Sequence, residues 1–244
     1  MGKAIAIEAA NRKMNLLLVA RSKELLEQLA EELSSKNVSV KILATDLLAE
    51  DAHKKIFGFV KEQGLQVNML INNAGMGGYG KFREMDLQKQ LDIMKLNVDS
   101  CVKMAHEFLN TTSNTQRRYI LNTVSTGAFQ PVPLMTIYAA TKAFMLSFSR
   151  GLRHELKKEN VFVTALCPGG TETEFFKPAG MEEVVKKNAQ FMMSADKVAK
   201  AGLDGLRKNK SVVVPGFTNK MGALSAKLVP HDVVVPVAAM FFKE

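Results

Sequence analysis

Apolar and polar positions follow two periods along this chain, and the switch between them recurs from end to end. Residues 2–13 carry Ala4, Ile5, Ile7, Ala9 and Ala10 as a small apolar stripe, the repeat of a helix already under way. Residues 15–20 are a continuous aliphatic run, which predicts a strand covered on both faces. Ser22 stands at an N-cap position ahead of Leu25, Leu26, Leu29 and Leu33, a predicted buried stripe. Residues 38–44 alternate as a strand, and 51–63 read as a helix with Ile56, Phe59 and Val60 turned inward. The next apolar strand covers 67–71. A glycine-rich loop then reaches Lys81, and 86–109 predicts one long helix. A buried strand is expected at 118–124, and after it Phe144, Met145, Phe148 and Leu152 recur at helical spacing. A strand at 161–166, a helix at 194–208 and a short strand at 211–214 complete the order. No repeat or linker breaks this alternation. We therefore expect one α/β domain over 1–244, a doubly wound parallel sheet in a three-layer α/β/α arrangement.

Composition narrows the function classes. A chain of 244 residues can bury a full core, and its 47% hydrophobic and 23% charged residues are ordinary for a globular protein. The formal charge is +9, enough to attract anionic ligands. The basic residues are scattered along predicted helices, as at Lys54, Lys55 and Lys61 or Lys157 and Lys158, so a solvated basic surface is favoured and no nucleic-acid partner is expected. Cys101 and Cys167 are isolated in apolar surroundings without metal-ligand spacing, which points to a reducing, cytoplasmic setting and no metal. The apolar run 233–242 contains a proline and is too short to span a bilayer; core or dimer packing is preferred for it over membrane contact.

Candidate chemistry concentrates between Ser125 and Lys142. Ser125 follows a strand, and open α/β sheets bind ligands at the carboxyl ends of their strands. Tyr138 and Lys142 are four apart in the next helix and share a face. Of the chain's three tyrosines only Tyr138 has a lysine at that offset; Tyr79 has Arg83 and Tyr119 has Thr123. Such a pair also occurs by chance on amphipathic helices. Here, placed after a strand end and a serine, it suits carbonyl reduction. The phenol gives a proton, the hydroxyl orients the carbonyl, and the ammonium is expected to draw the phenol's pKa down from about 10.

Taken together, Thr45-Asp46-Leu47, Asn72-Asn73-Ala74-Gly75, Asn97, Ser125, Tyr138-x-x-x-Lys142 and Pro168-Gly169-x-Thr171-x-Thr173 resemble the single-domain short-chain dehydrogenases/reductases over essentially the whole chain. The resemblance implies a Rossmann-like fold, with Tyr138 as general acid/base, Ser125 as carbonyl orienter and Lys142 on the phenol and the nicotinamide ribose. It implies that Asn97 interrupts its helix and anchors a proton-relay water; otherwise it is a polar residue facing solvent. Asn73, Ala74 and Gly75 would lie under the adenosine ribose, though Asn and Gly also make simple turns. Asp46 and Leu47 would meet the adenine, unless Asp46 only caps a turn. Pro168, Gly169, Thr171 and Thr173 would hold the nicotinamide amide and pyrophosphate.

Ala20 and Arg21 stand where members that use NAD(H) carry an acid. A guanidinium suits a phosphate, so NADP(H) is favoured over NAD(H). Phe129, Leu134, Met135, Phe175 and Phe176 flank the site and suit a small apolar carbonyl or alcohol substrate, lipid-like or 3-oxoacyl. Members usually pair through the helices carrying Asn97 and Tyr138, so a homodimer or homotetramer is expected. One departure is large: Gly2 matches the last glycine of the family's Thr-Gly-x-x-x-Gly-x-Gly loop, so the central strand and glycine cradle before it are expected to be missing. The favoured reading is that the natural chain is longer. The alternative is a truncated, non-catalytic relative that keeps the fold for binding or assembly.

Overall fold

The computed structural model describes residues 1–112 and 116–241. The first half runs α1 (Gly2–Asn11), β1 (Leu16–Ala20), α2 (Lys23–Ser34), β2 (Val40–Ala44), α3 (Ala52–Glu62), β3 (Met69–Asn72), α4 (Leu87–Met94) and α5 (Ser100–Thr111). The second half begins with β4 (Arg118–Thr123), α6 (Thr136–Glu155), β5 (Val161–Leu166), β6 (Thr171–Glu172), α7 (Phe176–Ala179) and α8 (Glu182–Asn188). It ends with β7 (Met193–Ser194), α9 (Ala195–Arg207), β8 (Val212–Val213), α10 (Phe217–Leu228) and α11 (His231–Phe241).

Side chains alternate across each strand, so each strand feeds two layers. Leu17 and Val19 of β1, Leu70 of β3, Ile120 of β4 and Val161 and Val163 of β5 pack under α3, α5 and α6. Their neighbours Leu16, Met69, Ile71, Tyr119, Leu121 and Leu166 face the other way, against α1 and α9. The result is the expected three-layer α/β/α arrangement with parallel strands.

The sheet is divided. β1 pairs with β2, and β3, β4, β5 and β8 form a second sheet; β6 and β7 make a separate ribbon. Among the described residues no strand joins β1 to β3, although their side chains meet in common clusters. This is the gap that the missing central strand leads us to expect. The apolar run 233–242 does not fill that gap: it is helical as far as Phe241, and Phe242 lies outside the described residues. Pro230 starts the helix by accepting from the Val233 and Val234 amides, and Asp232 complements its first turn.

Two inward-facing assignments also change. Leu25 is 66% exposed while Leu26 and Leu33 carry the buried side of α2, and on α3 Phe57 is buried rather than Phe59. In each case the stripe is shifted by a residue or two around the helix. The long helix expected at 86–109 runs without a break over 87–111, with a π-turn at Lys95–Asp99 between α4 and α5.

Candidate active site

Ser125, Tyr138 and Lys142 come together at the carboxyl end of β4. Ser125 caps a 3₁₀ turn over Thr126–Ala128, its hydroxyl accepting from the Gly127 amide at 3.1 Å. The first turn of α6 then brings the Tyr138 hydroxyl towards the Ser125 side chain. One turn further on, Lys142 donates to the Thr123 carbonyl at 3.0 Å, with its Nζ 5.6 Å from the centre of the Tyr138 ring.

The electrostatics correct one expectation. Burial pushes the Tyr138 phenol up to about 12, with the Ser125 side chain pulling it the other way. Lys142 was expected to draw it down. Instead the ammonium is held on the Thr123 carbonyl and over the ring face. Its own pKa is lowered by burial, opposed by the Cys101 and Cys167 thiols. At neutral pH the phenol therefore holds its proton, the form a general acid needs.

Asn97 sits in the π-turn, and its exposure of 1% excludes a solvent-facing role. Its Nδ2 donates to the Met76 carbonyl at 2.9 Å and to Thr141 Oγ1 at 3.1 Å, while Oδ1 accepts from the Met76 amide at 2.9 Å. The side chain thus clamps the loop after β3 onto α6. The π-turn is what lets an otherwise helical residue face its neighbours in this way. Gly75 is next to this clamp: a Cβ there would lie 3.1 Å from Asn97 Oδ1 and 3.5 Å from Lys142 Nζ. A side chain there would crowd Asn97 and touch the lysine.

The remaining predicted residues line the carboxyl ends of the strands. Arg21 is exposed immediately after β1. Asp46 is exposed and accepts from the Leu48 amide at 2.9 Å, an Asx turn, while Leu47 packs into the core. Asn73 abuts the start of α1, and Ala74 is exposed beside it. Pro168 accepts from the Thr126 amide at 2.8 Å, tying its loop to Ser125's. Gly169 lies against Asn219 of α10, where a Cβ would stand 2.3 Å from Asn219 Oδ1. The Thr171 and Thr173 hydroxyls donate to the Gly169 and Thr171 carbonyls. Two buried side-chain oxygens in this region, Asn73 Oδ1 and Thr123 Oγ1, have no protein partner. A ligand rich in hydroxyls would satisfy both, so the residues fit the ribose portions of a dinucleotide.

Apolar groups cover the other side. Phe175 packs on Tyr138 with ring centres 5.5 Å apart, and Phe176 meets Phe175 edge-on. Met135 is buried with Ala179 and Val184, while Phe129 packs towards Cys101 and Met145, away from this wall. Leu134 accepts from the Gly80 amide and so ties down the glycine-rich loop. A narrow cavity of about 10 Å³, room for one water-sized group, lies between Tyr138, Thr136, Phe82, Met85 and Gln90. Gln90 was not anticipated. It is buried, donates to the Phe82 and Met85 carbonyls, and leaves its Oε1 without a protein partner. Its spacing from Ile93 and Asn97 on one helical face was the available signal.

A parallel sheet between helix layers, with a serine, tyrosine and lysine gathered at a strand end, defines the dinucleotide-dependent oxidoreductase class of α/β protein. Within that class the chain belongs to the short chain dehydrogenase family, whose profile matches residues 1–184. It is 35% identical over 183 residues to a very-long-chain 3-oxoacyl-CoA reductase of Anas platyrhynchos, covering 72% of this chain and 58% of that protein. It is 32% identical over 197 residues to human 17-beta-hydroxysteroid dehydrogenase type 3, covering 79% and 62%. A short-chain dehydrogenase from Sphingobium yanoikuyae, solved in complex with NADPH, superposes with a TM-score of 0.79 at 30% identity, covering 91% of this chain and 87% of that one. The chain thus spans about three fifths of the length of these curated relatives.

Proposed function

We propose that this protein is an NADP(H)-dependent oxidoreductase interconverting a ketone and a secondary alcohol on an apolar substrate, lipid-like or 3-oxoacyl. The convergence of Ser125, Tyr138 and Lys142 at the end of β4 carries this reading. When bound, the dinucleotide supplies the hydride. Ser125 holds the carbonyl oxygen, and Tyr138, kept protonated by burial, gives its phenol proton to the oxygen as charge develops there. Lys142, held on the Thr123 carbonyl, would hold the nicotinamide ribose. Arg21 and the basic surface favour the 2′-phosphate of NADP(H). Phe175 and Phe176 supply the apolar wall, in keeping with the acyl-CoA and steroid names of the relatives. Two free, buried cysteines suit a cytoplasmic setting.

Pairing of two copies through α4 and α6 belongs to the same reading. Leu87, Leu91 and Met94 form an exposed stripe on α4, and Phe144 is exposed on α6. Leu91→Arg should convert a dimer to a monomer in light scattering.

The decisive test is Tyr138→Phe, assayed for reduction of apolar ketones and for NADPH binding side by side. Loss of about 10²–10⁴-fold in turnover with binding retained is expected. Turnover within a factor of a few of the unaltered chain removes Tyr138 from the reaction. A second reading, a non-catalytic relative, is favoured by the divided sheet; it predicts no ketone reduction by either protein.

A further inference from the structure

α10 is amphipathic in the reverse sense. Its inward side is made of small or polar groups: Ala223 and Ala226 are buried and Asn219 is half-buried against Gly169. Its outward side carries Phe217, Met221, Leu224 and Leu228, exposed by 78%, 50%, 50% and 76%. At 3.6 residues per turn these four fall within an arc of about 60°, opposite Asn219, Ala223 and Ala226. α11 repeats the pattern, with Ala238 buried and Val233, Val237 and Met240 exposed. The tail was expected to pack into the core or a dimer; within this chain these side chains lie outside the core.

We propose that the outward face of α10 and α11 docks on an anionic lipid bilayer, lying in its surface. Among the described residues no helix is long and apolar enough to cross a membrane, so the contact is interfacial rather than spanning. The charge pattern separates a bilayer from a second copy. α10 contains Lys220 and Lys227 and no acidic residue, and the chain carries a formal charge of +9. A two-fold interface sets a patch against itself, so the exposed Lys220 would meet its own kind with no acid on α10 to answer it. Anionic headgroups answer that charge, and fluid acyl chains accept Phe, Met, Leu and Val side chains without shape matching or hydrogen bonds.

Location gives the contact a use. α10 packs on the Thr126–Ala128 turn beside Ser125 and covers Gly169 through Asn219. The helix that meets the lipid therefore roofs the catalytic cleft, and an apolar ketone dissolved in the bilayer would reach Tyr138 without crossing bulk water. This last point rests on the function proposed above; the docking itself does not.

The test is co-sedimentation of the full chain with phosphatidylcholine vesicles, with and without phosphatidylserine. Binding to the serine-containing vesicles that weakens with salt is expected. Phe217→Ser with Leu224→Ser should reduce it about a hundredfold, roughly tenfold per side chain. Leu224→Cys carrying an environment-sensitive fluorophore should shift to the blue on vesicles, which decides the matter if the double variant misfolds. No sedimentation of the full chain, undiminished binding by a folded double variant, an unshifted fluorophore, or a lipid-free dimer abolished by the same substitutions overturns the proposal. Vesicle binding without ketone reduction would sink the enzymatic reading and leave the docking intact.

Discussion

Asn97→Ala tests the clamp that holds the loop after β3 onto α6. The side chain is 1% exposed and makes three hydrogen bonds, two to the Met76 backbone and one to Thr141. Removing it strands the Met76 amide and carbonyl, whereas Thr141 keeps its own bond to the Tyr138 carbonyl at 2.7 Å. A buried group left unpaired costs ~1–3 kcal/mol. Two such groups, only partly shielded from water, give a loss of about 3 kcal/mol, or about a hundredfold in the folding equilibrium. Urea unfolding followed by far-UV circular dichroism reads this as a lower midpoint at constant slope. Asn97→Asp is the informative companion. It keeps the acceptor for the Met76 amide but turns a buried carboxylate towards the Met76 carbonyl, so it should be no better than alanine. Thr141→Val, combined with Asn97→Ala in a double-mutant cycle, isolates the third bond. A loss below about 1 kcal/mol for Asn97→Ala, with Asn97→Asp equally mild, would show that the loop holds itself and that the clamp reasoning is wrong.

Three further outcomes are expected. The chain has three tyrosines and no tryptophan, so phenolate absorbance after a rapid alkaline jump isolates Tyr138 as the difference from Tyr138→Phe. It should titrate near 12, and a midpoint at or below about 10 would mean that Lys142, not burial, governs the phenol. Because the folded value is raised, its contribution to stability is whole below pH about 10 and is lost as pH climbs towards about 12, a decline that Tyr138→Phe should lack. Arg21→Ala should weaken NADPH about tenfold more than NADH in fluorescence titrations, since a charge-assisted hydrogen bond is worth ~1.5–3 kcal/mol; equal losses would make Arg21 merely structural. Placing a strand and a Thr-Gly-x-x-x-Gly segment ahead of Met1 should raise the melting temperature and tighten NADPH binding. An unchanged melting temperature would mean that the gap between β1 and β3 needs no filling.

Much of this was legible beforehand because the signals were local. Residues 161–166 were expected as a strand and are one, and the Tyr138–Lys142 spacing placed both groups on one helix face. Ser125 was found from its position after a strand. What escaped depended on three-dimensional neighbours. The pKa of Tyr138 is set by its enclosure, which no spacing encodes, so the attraction expected from Lys142 proved secondary. No element was expected over 233–242, although Pro230 and Asp232 at its start favour the helix it forms. Gln90 and Asn219 contact the site through loops whose course the pattern of apolar residues does not fix.

The divided sheet has a consequence for how the molecule opens. Backbone ladders carry cooperativity from strand to strand, and among the described residues no ladder passes between β1 and β3. β1, β2 and α2 are held to the remainder through side-chain packing and through α1, which lies on α9 with Arg12 paired to Asp204. Such a unit exchanges its amide hydrogens through its own sub-global opening while β3, β4 and β5 stay protected. That opening carries Arg21 and Asp46 away and leaves Ser125, Tyr138 and Lys142 assembled. Of the residues proposed to hold the dinucleotide, those after β1 and β2 would thus open apart from the rest of the site, while those after β3 and β5 stay with Tyr138.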